Sequence, residues 1–198
     1  MLTIFFGAIG LLVFIAGTLV LGLRLRRAPA KANAEQYSRI MHFLFFAGLG
    51  APFMLSLVYP GVLNLDATVG LNPLPFRPLT LLLGTILAVP GLYFLGSSNK
   101  LLRALGSGAN AFRLTQRVVA ADVYQYTRNP MSLGYYCATL GLSLLIGSTV
   151  LTMYVLLGLI PAHLFFLKYF EEQELELRLG QSYLDYKQRV AFLIPRII

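Results

Sequence analysis

From Met131 to Leu167 the chain carries no aspartate, glutamate, lysine or arginine. A soluble protein of 198 residues has no interior large enough to bury an apolar run of that length along with the others in this chain. A hydrocarbon layer about 30 Å thick takes about 20 residues of helix, so the run is long enough to cross twice. Gly147-Ser148-Thr149 is the one place within it that has turn chemistry. Two antiparallel helices joined there are the expectation.

Three further runs behave alike. Leu2 to Leu23 is uncharged, has no basic residue before it and is followed by Arg24, Arg26 and Arg27. That order is the reverse of a secretory signal, so it reads as a retained helix with its N-terminus outside. A second span is expected from Ile40 to Tyr59 with a kink at Pro52. A third is expected from Pro78 to Gly96, interrupted at Pro90-Gly91. Pro60-Gly61 opens an outer loop that reaches Phe76. Composition agrees: 57% of residues are hydrophobic and the mean hydropathy is +0.71.

The net charge of +8 would suggest nucleic acid in a soluble protein. Here the basic residues lie between apolar runs, and no basic helix stands apart from them, so nucleic acid is not an expected partner. With five spans, fifteen of the sixteen basic residues fall on one face, and Arg77 alone lies on the other. The positive-inside rule makes the crowded face cytoplasmic. The expected fold class is therefore an all-α integral membrane protein of about five transmembrane helices. Its N-terminus is outside and its C-terminus is cytoplasmic. The tail from Glu171 reads as an amphipathic surface helix through Leu175, Leu179, Tyr183 and Tyr186. Residues 1–98 form the first three helices. Residues 99–198 form one unit of loop, hairpin and tail.

Metal chemistry has no support, because the lone Cys137 lacks the His or Cys neighbours that a zinc site needs. Candidate chemistry gathers at the two ends of the hairpin. In Arg128-Asn129-Pro130, Asn suits a helix N-cap and Pro the first turn. Such a site either merely starts a span at the interface or attracts an anion with free N–H groups and an arginine. Glu171 and Glu172 follow the last span directly. With Glu174 and Glu176 they are either a solvated acidic stretch or a partner for a ligand's ammonium group. Tyr124, Tyr126, Tyr135, Tyr136, Tyr169, Tyr183 and Tyr186 crowd the same ends as an aromatic belt, with ring faces that also attract a cation. Gly106-Ser107-Gly108 reads as a flexible loop that also permits close approach to a ligand. His42 and His163 read as helix-packing residues within separate spans.

Taken together, these residues resemble the integral-membrane methyltransferases typified by isoprenylcysteine carboxyl methyltransferase, related to the phospholipid methyltransferases. That family carries Gly-Pro-Tyr-x-x-x-Arg-(His or Asn)-Pro-x-Tyr-x-Gly before a helical hairpin and Glu-Glu-x-x-Leu-x-x-x-Phe-Gly-x-x-Tyr-x-x-Tyr after it. Tyr124, Arg128, Asn129, Pro130 and Gly134 match the first pattern. Glu171, Glu172, Leu175, Gly180, Tyr183 and Tyr186 match the second, followed by Val190, Ile194 and Pro195. The chain departs at Asp122-Val123 for Gly-Pro, Ser132 for tyrosine and Leu179 for phenylalanine.

The resemblance implies S-adenosylmethionine as cofactor, entering from the cytoplasm and enclosed by the hairpin and tail. It implies Tyr124, Tyr126, Arg128, Asn129, Pro130, Gly134, Tyr135, Glu172, Tyr183 and Tyr186 as its holders. Arg128, Glu171 and Glu172 would serve the chemistry, with Glu171 as base for an amine. The implied acceptor is lipophilic or lipid, bearing a carboxylate, amine or thiol, in an inner, cytoplasmic or endoplasmic-reticulum-type membrane. An NADPH-dependent membrane reductase of the sterol type and a non-enzymatic membrane protein on the same fold are the rival readings.

Overall fold

The computed structural model describes residues 2–59, 64–107 and 113–195. Pro60, Gly61 and Gly108 lie outside them. The protein is an all-α membrane protein. Helix α1 spans Leu2–Arg27, α2 Lys31–Val58, α3 Arg77–Leu105, α4 Val123–Tyr126, α5 Pro130–Ile146, α6 Thr149–Leu179 and α7 Gln181–Arg189. Four of these, α1, α2, α3 and α6, are apolar and long enough to cross a bilayer. The fifth expected span, α5, has 17 residues, about 25 Å of helix, at the lower edge of what a crossing needs. Among the described residues the β pairing is a single isolated bridge between Thr127 and Ala191.

Small residues set how the helices approach. Helix α3 lies antiparallel on α5 with Gly84 against Gly141 and Gly91 against Gly134 and Ala138. A Cβ on Gly91 would stand 2.4 Å from the Ala138 nitrogen, so the contact is backbone on backbone. Such small-residue seams are how helices associate where lipid supplies no hydrophobic drive. The expected interruption at Pro90-Gly91 does not occur, and α3 runs unbroken through both to Leu105. At that stretch α5 packs backbone to backbone against it. Gly10 of α1 meets Gly48 of α2 in the same way.

Helix α6 is the central element. Half of its apolar window is buried, against a third or less for α1, α2 and α3. Phe14, Leu25, Met41, Leu49, Phe166, Leu167 and Phe170 make one core between α1, α2 and α6. π-turns at Phe46–Gly50 and Tyr154–Leu159 sit just before Pro52 and Pro161, where the proline ring crowds the preceding turn.

Both ends of the α5–α6 turn are tied by side chains, one from the loop before α3 and one from the first residue of α3. Gly147 adopts φ +83°, which a side chain would resist. Asp66, buried, accepts from Ser148 Oγ at 3.0 Å and from the N–H groups of Thr149 at 3.0 Å and Val150 at 2.8 Å. A carboxylate there both caps α6 and meets its positive dipole end. Arg77, the basic residue that breaks the charge asymmetry, donates to the carbonyls of Leu144, at 3.2 Å, and Leu145. It is spent on the C-terminus of α5, which explains its place.

The tail is not a separate surface helix. Helix α6 continues past Glu171 to Leu179 and breaks at Gly180, where φ is +60°. Then α7 turns back and buries Tyr183 and Tyr186 against the chain before α5.

Candidate functional site

At the charged end of the bundle α2, α3, α5 and α6 enclose a cavity of about 300 Å³, within the range of small-molecule sites. Its floor toward the apolar end is Phe45, Phe46, His163 and Phe166. Its wall toward the charged end is Arg128, Asn129, Glu171, Glu174 and Arg178.

The segment before α5 is folded by the C-terminal strap. Arg128 is almost wholly buried. Its Nη1 donates to the carbonyls of Lys187 at 2.7 Å and Val190 at 2.9 Å, and its Nη2 to Glu172 Oε1 at 2.5 Å. The Arg128 N–H meets the Ala191 carbonyl at 2.8 Å. Tyr186 O–H donates to the Tyr124 carbonyl at 2.7 Å, and Asn129 Nδ2 to the Phe192 carbonyl at 2.9 Å. Asn129 therefore occupies the N-cap position without capping. Its side chain is used on the strap, and the first-turn amides of α5 stay uncapped where Pro130, Met131 and Ser132 line the cavity.

The two adjacent glutamates part company. A third π-turn, Leu167–Glu171, resets the phase of α6. After it Glu171, Glu174, Leu175 and Arg178 form one stripe toward the cavity, at helical i, i+3, i+4, i+7 spacing. Glu172 points the other way, to Arg128, to Lys187 Nζ at 3.0 Å and to Lys168 Nζ at 3.6 Å. Lys187 also reaches Glu176 at 2.8 Å. Partial burial would lower its ammonium pKa, but the two carboxylates outweigh this and hold it above the ordinary lysine value. Glu174 is buried on Arg178 Nε, and Arg178 Nη1 holds the Thr115 carbonyl at 2.6 Å, drawing the long loop across the cavity. Glu171 has neither hydrogen bond nor ion pair among the described residues, and its carboxylate faces the cavity.

The other expected residues divide. Tyr124 and Tyr135 line the cavity. Burial pushes the Tyr124 phenol up, with the neighbouring Tyr186 and Glu171 adding to it. Tyr183 and Tyr186 lie behind the wall, each raised chiefly by burial. Gly134 faces α3, not the cavity, and Tyr126 points outward with 59% of its surface exposed. Ser38, His42, His163, Glu174 and Arg178 were not expected in the cavity wall. The 171/174/175/178 stripe was a readable signal for two of them.

Asp122 stands at φ +50°, ψ −124°, a conformation that glycine tolerates and other residues resist. The turn that leads into Tyr124 keeps glycine geometry without the glycine.

No curated protein and no solved structure matches the chain. A family model described as phospholipid methyltransferase matches residues 79–182. That is just over half of the chain, from the start of α3 through α5 and α6 to the break at Gly180. It takes in Arg128, Asn129, Glu171 and Glu172. The protein belongs to the phospholipid methyltransferase family of membrane methyltransferases.

Proposed function

We propose that this protein transfers a methyl group from S-adenosylmethionine to the amine of a membrane lipid, with its charged end in the cytoplasm. One observation carries the reading. The uncapped N-terminus of α5 and the unpaired Glu171 carboxylate share one cavity, behind the wall that Arg128 and Glu172 build.

The residues present fit the donor. Its carboxylate suits the first-turn amides of α5, together with Arg128 Nε, which is buried and without a partner. Glu171 suits the ammonium, and the rings of Tyr124 and Tyr135 suit a cation or an aromatic base. When bound, the donor supplies a methyl group on a sulfonium, already a good leaving group. The chain's own part is to orient the acceptor and exclude water, which is worth up to about 7–11 kcal/mol in favourable systems.

On the apolar side, Phe45 and Phe46 of α2 face Leu95 and Leu102 of α3. Helix α2 packs chiefly on α1 and α6, and α3 on α5, so the two cavity helices are held by different neighbours. A lipid chain suits the gap between them. An amine headgroup is the acceptor that the family's phospholipid substrates suggest, and Glu171 in the wall suits a cationic group.

Calorimetry of the detergent-purified protein with S-adenosylhomocysteine and with NADPH tests the reading. Binding of the first is expected, weakened about 30-fold in Glu171→Gln. Binding of NADPH alone would move the assignment to a reductase, and silence with both would remove the enzyme.

A further inference from the structure

Two histidines, both of them in the wall of this cavity, have no part in holding the donor. His163 of α6 is 7% exposed, stacks on Phe166 with ring centroids 5.5 Å apart, and lies 4.6 Å from the Phe45 ring. Its Nδ1 is 2.8 Å from the Tyr136 hydroxyl of α5, itself buried. Its Nε2 makes no hydrogen bond among the described residues, and the ring lines the cavity. A buried imidazole gripped at one nitrogen and free at the other has its orientation fixed and one working atom left.

Resting on the reading above, we infer that His163 Nε2 takes the proton from the lipid ammonium at the apolar end of the cavity, with Tyr136 as the residue that positions it. His163 Nδ1–H donates to the Tyr136 oxygen, which leaves the lone pair on Nε2. The ammonium N–H bond breaks, its electron pair stays on nitrogen as the nucleophile, and the proton converts the imidazole to imidazolium. The proton then leaves by His42, on the facing helix, toward the charged end. The titratable groups around His163 are Tyr135 and Tyr136 from α5, His42 from α2, and Glu171 two turns along α6. Of these, His42 opposes the imidazolium when it is itself charged, and Arg178 at the charged end acts on His42 in turn. Cavity depth separates the roles: Glu171 meets the donor near water, and His163 meets the acceptor among the rings.

Two measurements decide this. The first is ¹⁵N NMR of histidine-labelled protein in dioleoylphosphatidylethanolamine nanodiscs, with Glu171→Gln and His42→Gln to assign the two ring signals. The expected result is an Nδ1–H tautomer at His163 that is lost in Tyr136→Phe; an Nε2–H tautomer overturns the proposal whatever the activity. The second is methylation of the same lipid. His163→Gln should lower kcat about 100-fold at pH 7 and recover as rising pH deprotonates the amine itself, with S-adenosylhomocysteine affinity unchanged. Tyr136→Phe, nearly isosteric, should lower kcat about tenfold with the same recovery and serves if His163→Gln does not fold. A loss below about threefold, or one uniform in pH, overturns the proposal. If the unaltered protein binds no S-adenosylhomocysteine, the donor reading fails, and the tautomer still decides the role of Tyr136 and His163.

Discussion

Replacing Glu172 by glutamine keeps its shape and removes its charge, and the structure says where the cost falls. Arg128 and Glu172 are 8% and 12% exposed, so the arginine would be left buried with only carbonyl partners. Breaking a buried pair from one side costs about 3–5 kcal/mol. The lower end applies, because Gln Oε1 still accepts a hydrogen bond, and Lys187 keeps Glu176. Lys168, half exposed at 3.6 Å, adds less than about 1 kcal/mol. The loss of about 3 kcal/mol acts on the strap, because the same guanidinium holds the carbonyls of Lys187 and Val190. It should raise the open population of the strap by roughly 100-fold. Trypsin cleavage after Arg189, followed by mass spectrometry, reads that population when reclosing is fast. Glu176→Gln, which breaks a more exposed pair, should change the rate less than about fivefold. If Glu172→Gln is cut no faster than Glu176→Gln, Arg128 does not depend on Glu172 and the account of the strap is wrong.

Two further substitutions test the frame. Asp122→Gly relieves a positive φ and should stabilise the protein by about 1 kcal/mol, read as a higher melting temperature in detergent; a lower one would show that the aspartate side chain matters more than its backbone. Gly91→Ala sets a methyl against the Ala138 backbone and should cost about 1–3 kcal/mol, with methyl transfer falling as α3 moves away from α5; an unchanged melting temperature would mean that the seam is looser than described.

Much of this was legible because membranes leave simple marks. Uncharged runs located the helices, and Gly147-Ser148-Thr149 marked the turn between α5 and α6. The pairing of Arg128 with the Glu171-Glu172 end was readable from motif spacing, since α5 and α6 return the chain to its starting level. What sequence pattern did not carry was phase. Which of two neighbouring glutamates faces the cavity depends on the π-turn at Leu167–Glu171, and an inserted residue of that kind leaves no compositional trace. Asn129 looked like a cap, but a carbonyl 63 residues away at Phe192 claimed its amide. Tertiary hydrogen bonds of that range override local preference. Arg77 looked like an exception to charge placement because its partners, the last carbonyls of α5, carry no formal charge.

The brevity of α5 decides how deep the polar end of the cavity lies. Matched at Gly91 and Gly134, α3 rises about 15 Å farther past this level than α5 does; matched at His163 and Tyr136, α6 overtops α5 by a similar height. The first amides of α5 thus sit at the bottom of a shaft sunk below the rim of its neighbours. On the proposed function, the donor would reach those amides from the charged end, and a lipid headgroup would meet it from the side, between α2 and α3.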